Sequence, residues 1–288
     1  MKYYIHQIKK EITLIDFLKT MSVAKNKINY LIDNNFCYVD GNILKRDSLL
    51  KYNDYLMIDL SNYHNEVKYN SCKGNIDVLY EDKYLIVVNK PSGIIIHQDE
   101  DKNGKLTLTD MVISYLRNKE DDAVAYPVHR LDKETTGIVI YAKDIITLAN
   151  LSSLFESKKI TKIYNAIVEG KTSYDGTINY SIGTDRHVNN KMVITKNGKP
   201  AFTRYETMKL LHGKSMLKVF ITTGKTHQIR VHLSAIGHPI VGDTKYGATI
   251  PANRTLLHCA EISFKHPNYN KDIVIKCKLP NDMYKFIK

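Results

Sequence analysis

The segment 126–143, YPVHRLDKETTGIVIYAK, places ionisable side chains directly before a predicted strand. His129, Arg130 and Asp132 come just before an apolar stretch, Thr136–Ala142, that is typical of a buried strand. A carboxylate at the entry to such a strand is rigidly held and partly removed from water, which suits a catalytic group. An aspartate that only caps a turn or pairs with Arg130 would give the same pattern. These residues alone leave both interpretations of Asp132 open.

A second group of polar residues lies in segment 222–247, TTGKTHQIRVHLSAIGHPIVGDTKYG. Its helical spacing places Arg230 among three histidines, but the H-x-x-x-H pattern and helical glutamate of a zinc metalloprotease are absent. We therefore expect no metal site here. The Gly-Lys-Thr at 224–226 is similar to the end of a phosphate-binding loop, yet the glycine required five residues earlier is Val219. That interpretation fails.

A third candidate is an aromatic side chain in segment 162–170, KIYNAIVEG. Strand alternation puts Tyr164, Ala166 and Val168 on one face. A tyrosine in that position is either a core residue or a flat surface on which a nucleobase stacks. The spacing does not decide between them.

The elements that position these residues fall into two parts. Residues 12–34 show helical apolar spacing with Ser22 as the expected cap of a second helix, and 36–39 and 55–60 are predicted strands. Asp40-Gly41 predicts a tight turn. The Asn-, Ser- and Gly-rich stretch at 61–75 interrupts this pattern. We therefore expect a small domain at 1–61, a linker at 62–75 and a larger domain at 76–288.

The larger part is predicted to be mostly β. Strands outnumber helices without regular alternation, which favours an α+β domain around a mixed, mainly antiparallel sheet. Hairpin turns are predicted at Asn103-Gly104, Asp175-Gly176 and Asn197-Gly198. Predicted strands cover 77–80, 84–89, 136–142, 162–168, 202–209, 216–222, 256–264 and 273–279, and predicted helices cover 107–117, 145–157 and 227–236.

Composition narrows the class of protein. The 288 residues include 42 Lys and Arg against 30 Asp and Glu, so the formal net charge is +12. That surplus favours a polyanionic partner, although it also serves solubility. No apolar run approaches a membrane span, no signal peptide is evident, and four cysteines lie far apart. We expect a soluble cytoplasmic protein, which excludes membrane, disulfide-rich secreted and zinc-finger proteins.

Together, the segments resemble the successive motifs of the RluA family of RNA pseudouridine synthases. The matching segments are YEDKYLIVVNKPSGIIIH (80–97), HRLDKETTGIVIYAK (129–143), KIYNAIVEG (162–170), TGKTHQIRVHLSAIGHPIVGDTKYG (223–247) and LLHCAEISFKHP (256–267). Residues 12–60 are similar to the S4-type RNA-binding module that precedes the catalytic domain in RluC-like and RluD-like members.

This resemblance implies an enzyme that isomerises a uridine within RNA, detaching the base at N1 and rejoining it through C5. Asp132 matches the essential aspartate of the family, and Tyr164 matches the tyrosine that packs under the target base. Arg230 matches the arginine that pairs with the aspartate, where an opposite charge keeps a desolvated carboxylate ionised. Arg130 matches the residue that enters the helix where the uridine leaves. The reaction needs no metal and no cofactor, and we expect neither.

The resemblance also indicates the partner. We expect RNA, and specifically 23S large-subunit ribosomal RNA or a ribosome-assembly intermediate, because family members that act on small tRNA elements often lack the front module. The chain is expected to act as a monomer with no membrane partner.

Three alternatives stay open on the sequence. The first is a tRNA pseudouridine synthase, and the second is a non-catalytic RNA-binding or ribosome-assembly factor that uses the basic surface and the front module. The third is a nucleoside or glycoside hydrolase in which Asp132 and Glu134 form a pair of carboxylates. A hydrolase would release free base, whereas a synthase would retain it.

Overall fold

A computed structural model describes residues 3–62, 69–97, 106–120, 122–172 and 175–287. Positions 63–68 of the expected linker and the expected turn at Asn103-Gly104 lie outside the described residues. Within the described ranges, no helix has the length and apolar character needed to cross a bilayer.

Residues 3–60 form two helices and a four-stranded antiparallel sheet around an apolar core. Their elements are β1 (Tyr3–Gln7), β2 (Ile12–Thr13), α1 (Leu14–Thr20), α2 (Lys25–Asp33), β3 (Cys37–Val39), β4 (Asn42–Ile43), β5 (Leu49–Leu50) and β6 (Tyr55–Asp59). The sheet order is β1-β6-β3-β4, and β2 pairs separately with β5. The turn at Asp40-Gly41 is confirmed, since both residues have positive φ (49° and 79°) between β3 and β4.

The prediction that Ser22 caps α2 is wrong. Ala24 occupies the N-cap position without a side-chain hydrogen bond, and Ser22 has a φ of 57° in the turn that follows α1. Ser22 therefore helps reverse the chain between the two helices.

The larger part is built on one ten-stranded sheet. Its elements, together with a separate β13–β14 hairpin, are β7 (Asp77–Glu81), β8 (Leu85–Lys90), α3 (Leu108–Arg117), β9 (Tyr126–Pro127), β10 (Thr136–Ala142), α4 (Ile145–Glu156), β11 (Thr161–Glu169), β12 (Asp175–Ile178), β13 (Ile182–Thr184), β14 (Met192–Ile194), β15 (Thr203–Leu211), β16 (Lys214–Ile221), α5 (Gln228–Ala235), β17 (Leu257–Lys265), β18 (Asp272–Lys276) and α6 (Asn281–Ile287). The main order is β12-β15-β16-β11-β17-β10-β8-β7. Among the described pairings only β10 and β17 run parallel. The expected α+β class with a mixed, mainly antiparallel sheet is confirmed.

The prediction of a hairpin turn at Asp175-Gly176 is wrong, because both residues lie within β12 and pair with β15. A β-carbon at Gly176 would overlap the phenol ring of Tyr205. The glycine is required there for close packing against an aromatic side chain, not for a turn.

The N-terminal unit packs against helix α4 and against the residue that precedes β8. Tyr84, Ile145 and Ile146 belong to the larger part of the chain but are buried in the core of the N-terminal unit. The Tyr84 hydroxyl donates to the carbonyl of Ile5 at 3.1 Å. These contacts join the two parts through buried surface.

Candidate active site

A cavity of about 1000 Å³ opens beside the loop that leads into β10. Its wall combines the three segments whose residues suggested chemistry, and it includes all four predicted site residues. The cavity is electropositive because six basic side chains face it against two carboxylates: Arg130, Lys133, Lys158, Lys162, Lys225 and Arg230, with Asp132 and Glu156. Such a site suits a polyanion.

Asp132 is bound to a cation from a distant part of the chain. Its Oδ2 accepts a hydrogen bond from Nη1 of Arg230 at 2.9 Å. The side chain of Asp132 is 29% exposed and that of Arg230 is 11% exposed. Arg130, the alternative partner, has an exposed side chain and forms no ion pair among the described residues. The turn is closed by the backbone, since Thr135 N–H donates to the Asp132 carbonyl at 3.1 Å.

Arg230 is held in place by a second aspartate. Its Nε and Nη2 donate to the two carboxylate oxygens of Asp243 at 2.7 and 2.8 Å. Asp243 is 2% exposed, so this pair is nearly free of water. Burial opposes the charged form, but Asp243 and Asp132 outweigh it and raise the pKa of Arg230 above its ordinary value. The guanidinium of Arg230 is therefore a fixed positive charge beside the carboxylate of Asp132.

Asp243 was not predicted as a site residue. It lies within the quoted segment 223–247, but its role depends on an ion pair with Arg230, which lies in the preceding helix α5. Gly242, with a φ of 81°, is the local signal of a sharp turn at this point. The sequence therefore indicates the turn at Gly242, but it does not indicate that Asp243 pairs with Arg230.

His227 lies next to the carboxylate and is fixed by a tyrosine. It occupies the N-cap of α5 with a left-handed φ of 54°, and its Nε2 is 3.7 Å from Oδ2 of Asp132. Its Nδ1 lies 2.8 Å from Oη of Tyr246, which also accepts the N–H of Met192. We assign Oη of Tyr246 as the hydrogen-bond donor and Nδ1 of His227 as the acceptor. The proton of the neutral imidazole then lies on Nε2. Burial lowers the pKa of His227, so the ring is neutral at pH 7.

Tyr164 forms part of the cavity wall and of the core at once. It is 5% exposed in β11 and lies opposite Cys259 of the neighbouring strand β17. Burial raises the pKa of Tyr164 well above its ordinary value, so its phenol is uncharged near neutral pH. The two sequence interpretations of this residue, core and aromatic surface, are therefore compatible.

The side chains of Lys90, which is buried, and His129, which is half-buried, fix the backbone of the Asp132 loop. The Nζ of Lys90 donates to the carbonyls of Pro91, Lys133 and Thr135 at 2.8–2.9 Å. Burial lowers the pKa of Lys90 to about 8, which leaves it charged at pH 7. His129 accepts the N–H of Ile140 at 3.2 Å. These contacts attach the loop to β8 and β10.

Glu134 does not form a second acid with Asp132. Its carboxylate accepts a hydrogen bond from the Ser92 hydroxyl at 3.1 Å, and the residue is not part of the cavity wall. A hydrolase with Asp132 and Glu134 as facing carboxylates is therefore not supported by the geometry. Over the same described ranges, no three His, Cys, Asp or Glu side chains are grouped as a metal site would require.

Comparisons with known proteins agree with the fold and the motifs. A family profile described as RNA pseudouridylate synthase matches residues 84–235. An uncharacterized RNA pseudouridine synthase of Bacillus subtilis, YhcT, is 32% identical over 278 residues, covering 94% of this chain and 90% of that protein. Ribosomal large subunit pseudouridine synthase D of Nitrosomonas europaea is 34% identical over 218 residues, covering 72% of this chain and 63% of that protein.

Among solved structures, human RNA pseudouridylate synthase domain containing 4 superposes with a TM-score of 0.62 and 25% identity. The superposition covers 73% of this chain and 93% of the human one. The chain therefore belongs to the RNA pseudouridylate synthase family, and the expected RluA-type, pseudouridine-forming isomerase is confirmed.

Proposed function

We propose that this protein isomerises uridines of large-subunit ribosomal RNA to pseudouridine and that Asp132 is its catalytic residue. The observation that carries the proposal is a half-exposed carboxylate, paired with Arg230 at 2.9 Å, in the wall of a cavity that also contains Tyr164. The reaction breaks the bond between N1 and C1′, forms a bond between C5 and C1′, and releases the C5 hydrogen to solvent as a proton while N1 gains a proton. Substrate and product have the same composition, so no cosubstrate is consumed.

The two carboxylate oxygens of Asp132 differ in their hydrogen bonds. Oδ2 accepts the hydrogen bond of Arg230, whereas Oδ1 accepts none from the described residues. Oδ1 can therefore act on the ribose or on the uracil ring, either as a nucleophile or as a base. Arg230 holds this carboxylate in place and compensates its negative charge in the partly desolvated cavity.

The target uridine has to leave the RNA helix to reach Asp132. Unstacking a base costs a few kcal/mol, which contacts in the cavity must offset. We propose that the ring of Tyr164 packs against the everted uracil and that Arg130, exposed at the cavity wall, fills the space the base leaves. Arg130 is suited to this because its guanidinium is exposed and can stack on neighbouring bases.

We propose that residues 1–61 are an S4-like RNA-binding domain, joined through a linker at 62–75 to a catalytic domain at 76–288. Most of the apolar core of the N-terminal unit comes from its own residues, and this core together with the two-helix arrangement supports the division. The start of α2 presents the exposed Lys25 and Asn26 next to Lys27. A surface of this kind contacts phosphates without reading bases.

A charge reversal tests this part of the proposal. Lys25→Glu combined with Lys27→Glu should weaken binding to 23S ribosomal RNA by about tenfold at low salt, because two phosphate contacts are lost. Turnover at saturating RNA should stay unchanged. A gel-shift titration measures affinity, with Lys10→Glu, an exposed lysine elsewhere in the unit, as the matched control. Equal affinities for all three proteins would argue against an RNA-binding role of α2.

The ribosomal substrate is supported by the named large-subunit activity of the Nitrosomonas relative and by the front module. Such a substrate implies a cytoplasmic enzyme, which we propose acts as a monomer. Mapping pseudouridines in total RNA from cells with and without the gene should show the loss of sites in 23S ribosomal RNA only. Loss confined to tRNA would overturn the proposed substrate, and unchanged maps would overturn the catalytic function.

A further inference from the structure

Lys162 is a largely buried lysine whose ammonium group has no hydrogen-bond acceptor among the described residues. It is 7% exposed, and its side chain lies in the wall of the active-site cavity. No oxygen of the described residues accepts a hydrogen bond from Nζ, and its one aromatic contact is the ring of Phe155, whose centroid is 5.2 Å away. A buried charge in this state is costly unless something pairs with it.

The buried lysine on the other side of the site makes the contrast clear. Lys90 is fully buried and donates to three carbonyl oxygens, which compensate for its lost hydration. Lys162 has no such acceptors in the part of the chain that the structure describes, and burial lowers its pKa. Lys90 is therefore fully hydrogen-bonded within the protein, whereas Lys162 is free to bind a group that is not part of this chain.

The space around Nζ is open toward the loop at 222–226. A β-carbon at Gly224 would lie 3.2 Å from Nζ, so the glycine keeps the approach to the ammonium clear. The neighbouring cavity residues Lys158 and Lys225 add positive charge. An anion is the ligand that these surroundings favour.

We propose that Lys162 Nζ binds a non-bridging phosphate oxygen of the RNA backbone beside the target uridine. Lys162 and Tyr164 are two residues apart on one face of β11, which separates their Cα atoms by roughly 6.6 Å. A single nucleotide can span that distance, with its base on the tyrosine and its phosphate on the lysine. This inference rests on the RNA-modifying function proposed above and assigns it a specific phosphate site.

An unpaired buried charge predicts an unusual effect on stability. Lys162→Met should raise the melting temperature of the RNA-free enzyme by about 2–4 °C, because it replaces an unsatisfied ammonium with an apolar side chain of similar length. Lys90→Met should lower the melting temperature, because it leaves three carbonyls without their donor. A drop in melting temperature for Lys162→Met would show a structural role and overturn the proposal.

RNA binding gives the second measurement. The probe is a fluorescein-labelled twelve-nucleotide oligouridylate, titrated by anisotropy at several salt concentrations. Lys162→Met should weaken binding about tenfold and reduce the slope of log K against log salt by about 0.7, as expected for one lost phosphate contact to single-stranded RNA. Lys271→Met, which removes an exposed lysine in the β17–β18 turn, should change neither. Unchanged affinity and slope in Lys162→Met would overturn the phosphate site.

These results are separable from the identity of the natural substrate. If pseudouridine mapping pointed to tRNA while both Lys162→Met effects were found, the ribosomal substrate would be wrong and the phosphate site would stand. The opposite pair of results would retain the substrate and discard the site.

Discussion

Asp132→Asn is expected to lower the single-turnover rate of pseudouridine formation by about 10⁴-fold or more. The amide has nearly the same volume and can still accept a hydrogen bond from Arg230, so the cavity should keep its shape. It cannot act as a nucleophile or as a base, because it carries no negative charge. The measurement is tritium release from 23S ribosomal RNA transcribed with [5-³H]uridine, since bond formation at C5 expels that hydrogen.

The matched control for this variant is Glu134→Gln. Glu134 lies two residues from Asp132 but bonds to Ser92 outside the cavity wall. We expect its rate to stay within about twofold of the wild type, as for an ordinary surface change. An Asp132→Asn enzyme with near wild-type rate would contradict the proposed role, and release of free uracil by the wild type would favour a hydrolase.

Arg230→Met is expected to impair both folding stability and catalysis. It leaves Asp243, which is 2% exposed, as an uncompensated buried carboxylate. Breaking a buried ion pair in this way costs about 3–5 kcal/mol. It also removes the cation that pairs with Asp132 and orients it, so we expect the single-turnover rate to fall by about 10²- to 10³-fold. Urea unfolding and tritium release measure the two effects on the same preparation.

A double variant separates these two effects. Adding Asp243→Asn to Arg230→Met removes the unpaired buried charge and should recover part of the lost free energy of unfolding. It should not recover the rate, because Asp132 still lacks its cation. Recovery of the rate together with stability would mean that Arg230 acts only as a structural residue.

Much of the fold could be predicted because local pattern and tertiary role agree. Thr136–Ala142 is fully buried between neighbouring strands, so its unbroken apolar composition predicts the observed strand without error at either end. The helix at Leu108–Arg117 has the capping box that Thr107 and Asp110 provide. The strand Tyr3–Gln7 was not predicted, since it is mixed in polarity and its partner, Tyr55–Asp59, lies some 50 residues away.

The sequence identified four candidate residues that line one cavity, but it did not identify the contacts between them. Arg130, Asp132, Tyr164 and Arg230 all line one cavity, yet the spacing of Arg130 and Asp132 equally favoured a pair between those two. The observed partner of Asp132 is Arg230, 98 residues away, brought in by the packing of α5. Either arginine could pair with Asp132 on chemical grounds, and the partner is known only once the fold shows which of them is within reach. Lys162 illustrates the same limit, because an unpaired lysine is indistinguishable from a solvated one in the sequence.

The most direct measurement is a structure of Asp132→Asn bound to a uridine-containing fragment of its RNA substrate. We predict an everted uridine with its ring against Tyr164 and its C1′ or C5 about 3–3.5 Å from the side chain at 132, the distance of a reactive contact. A uridine still stacked within the RNA helix, with Tyr164 and position 132 untouched, would contradict the central claim.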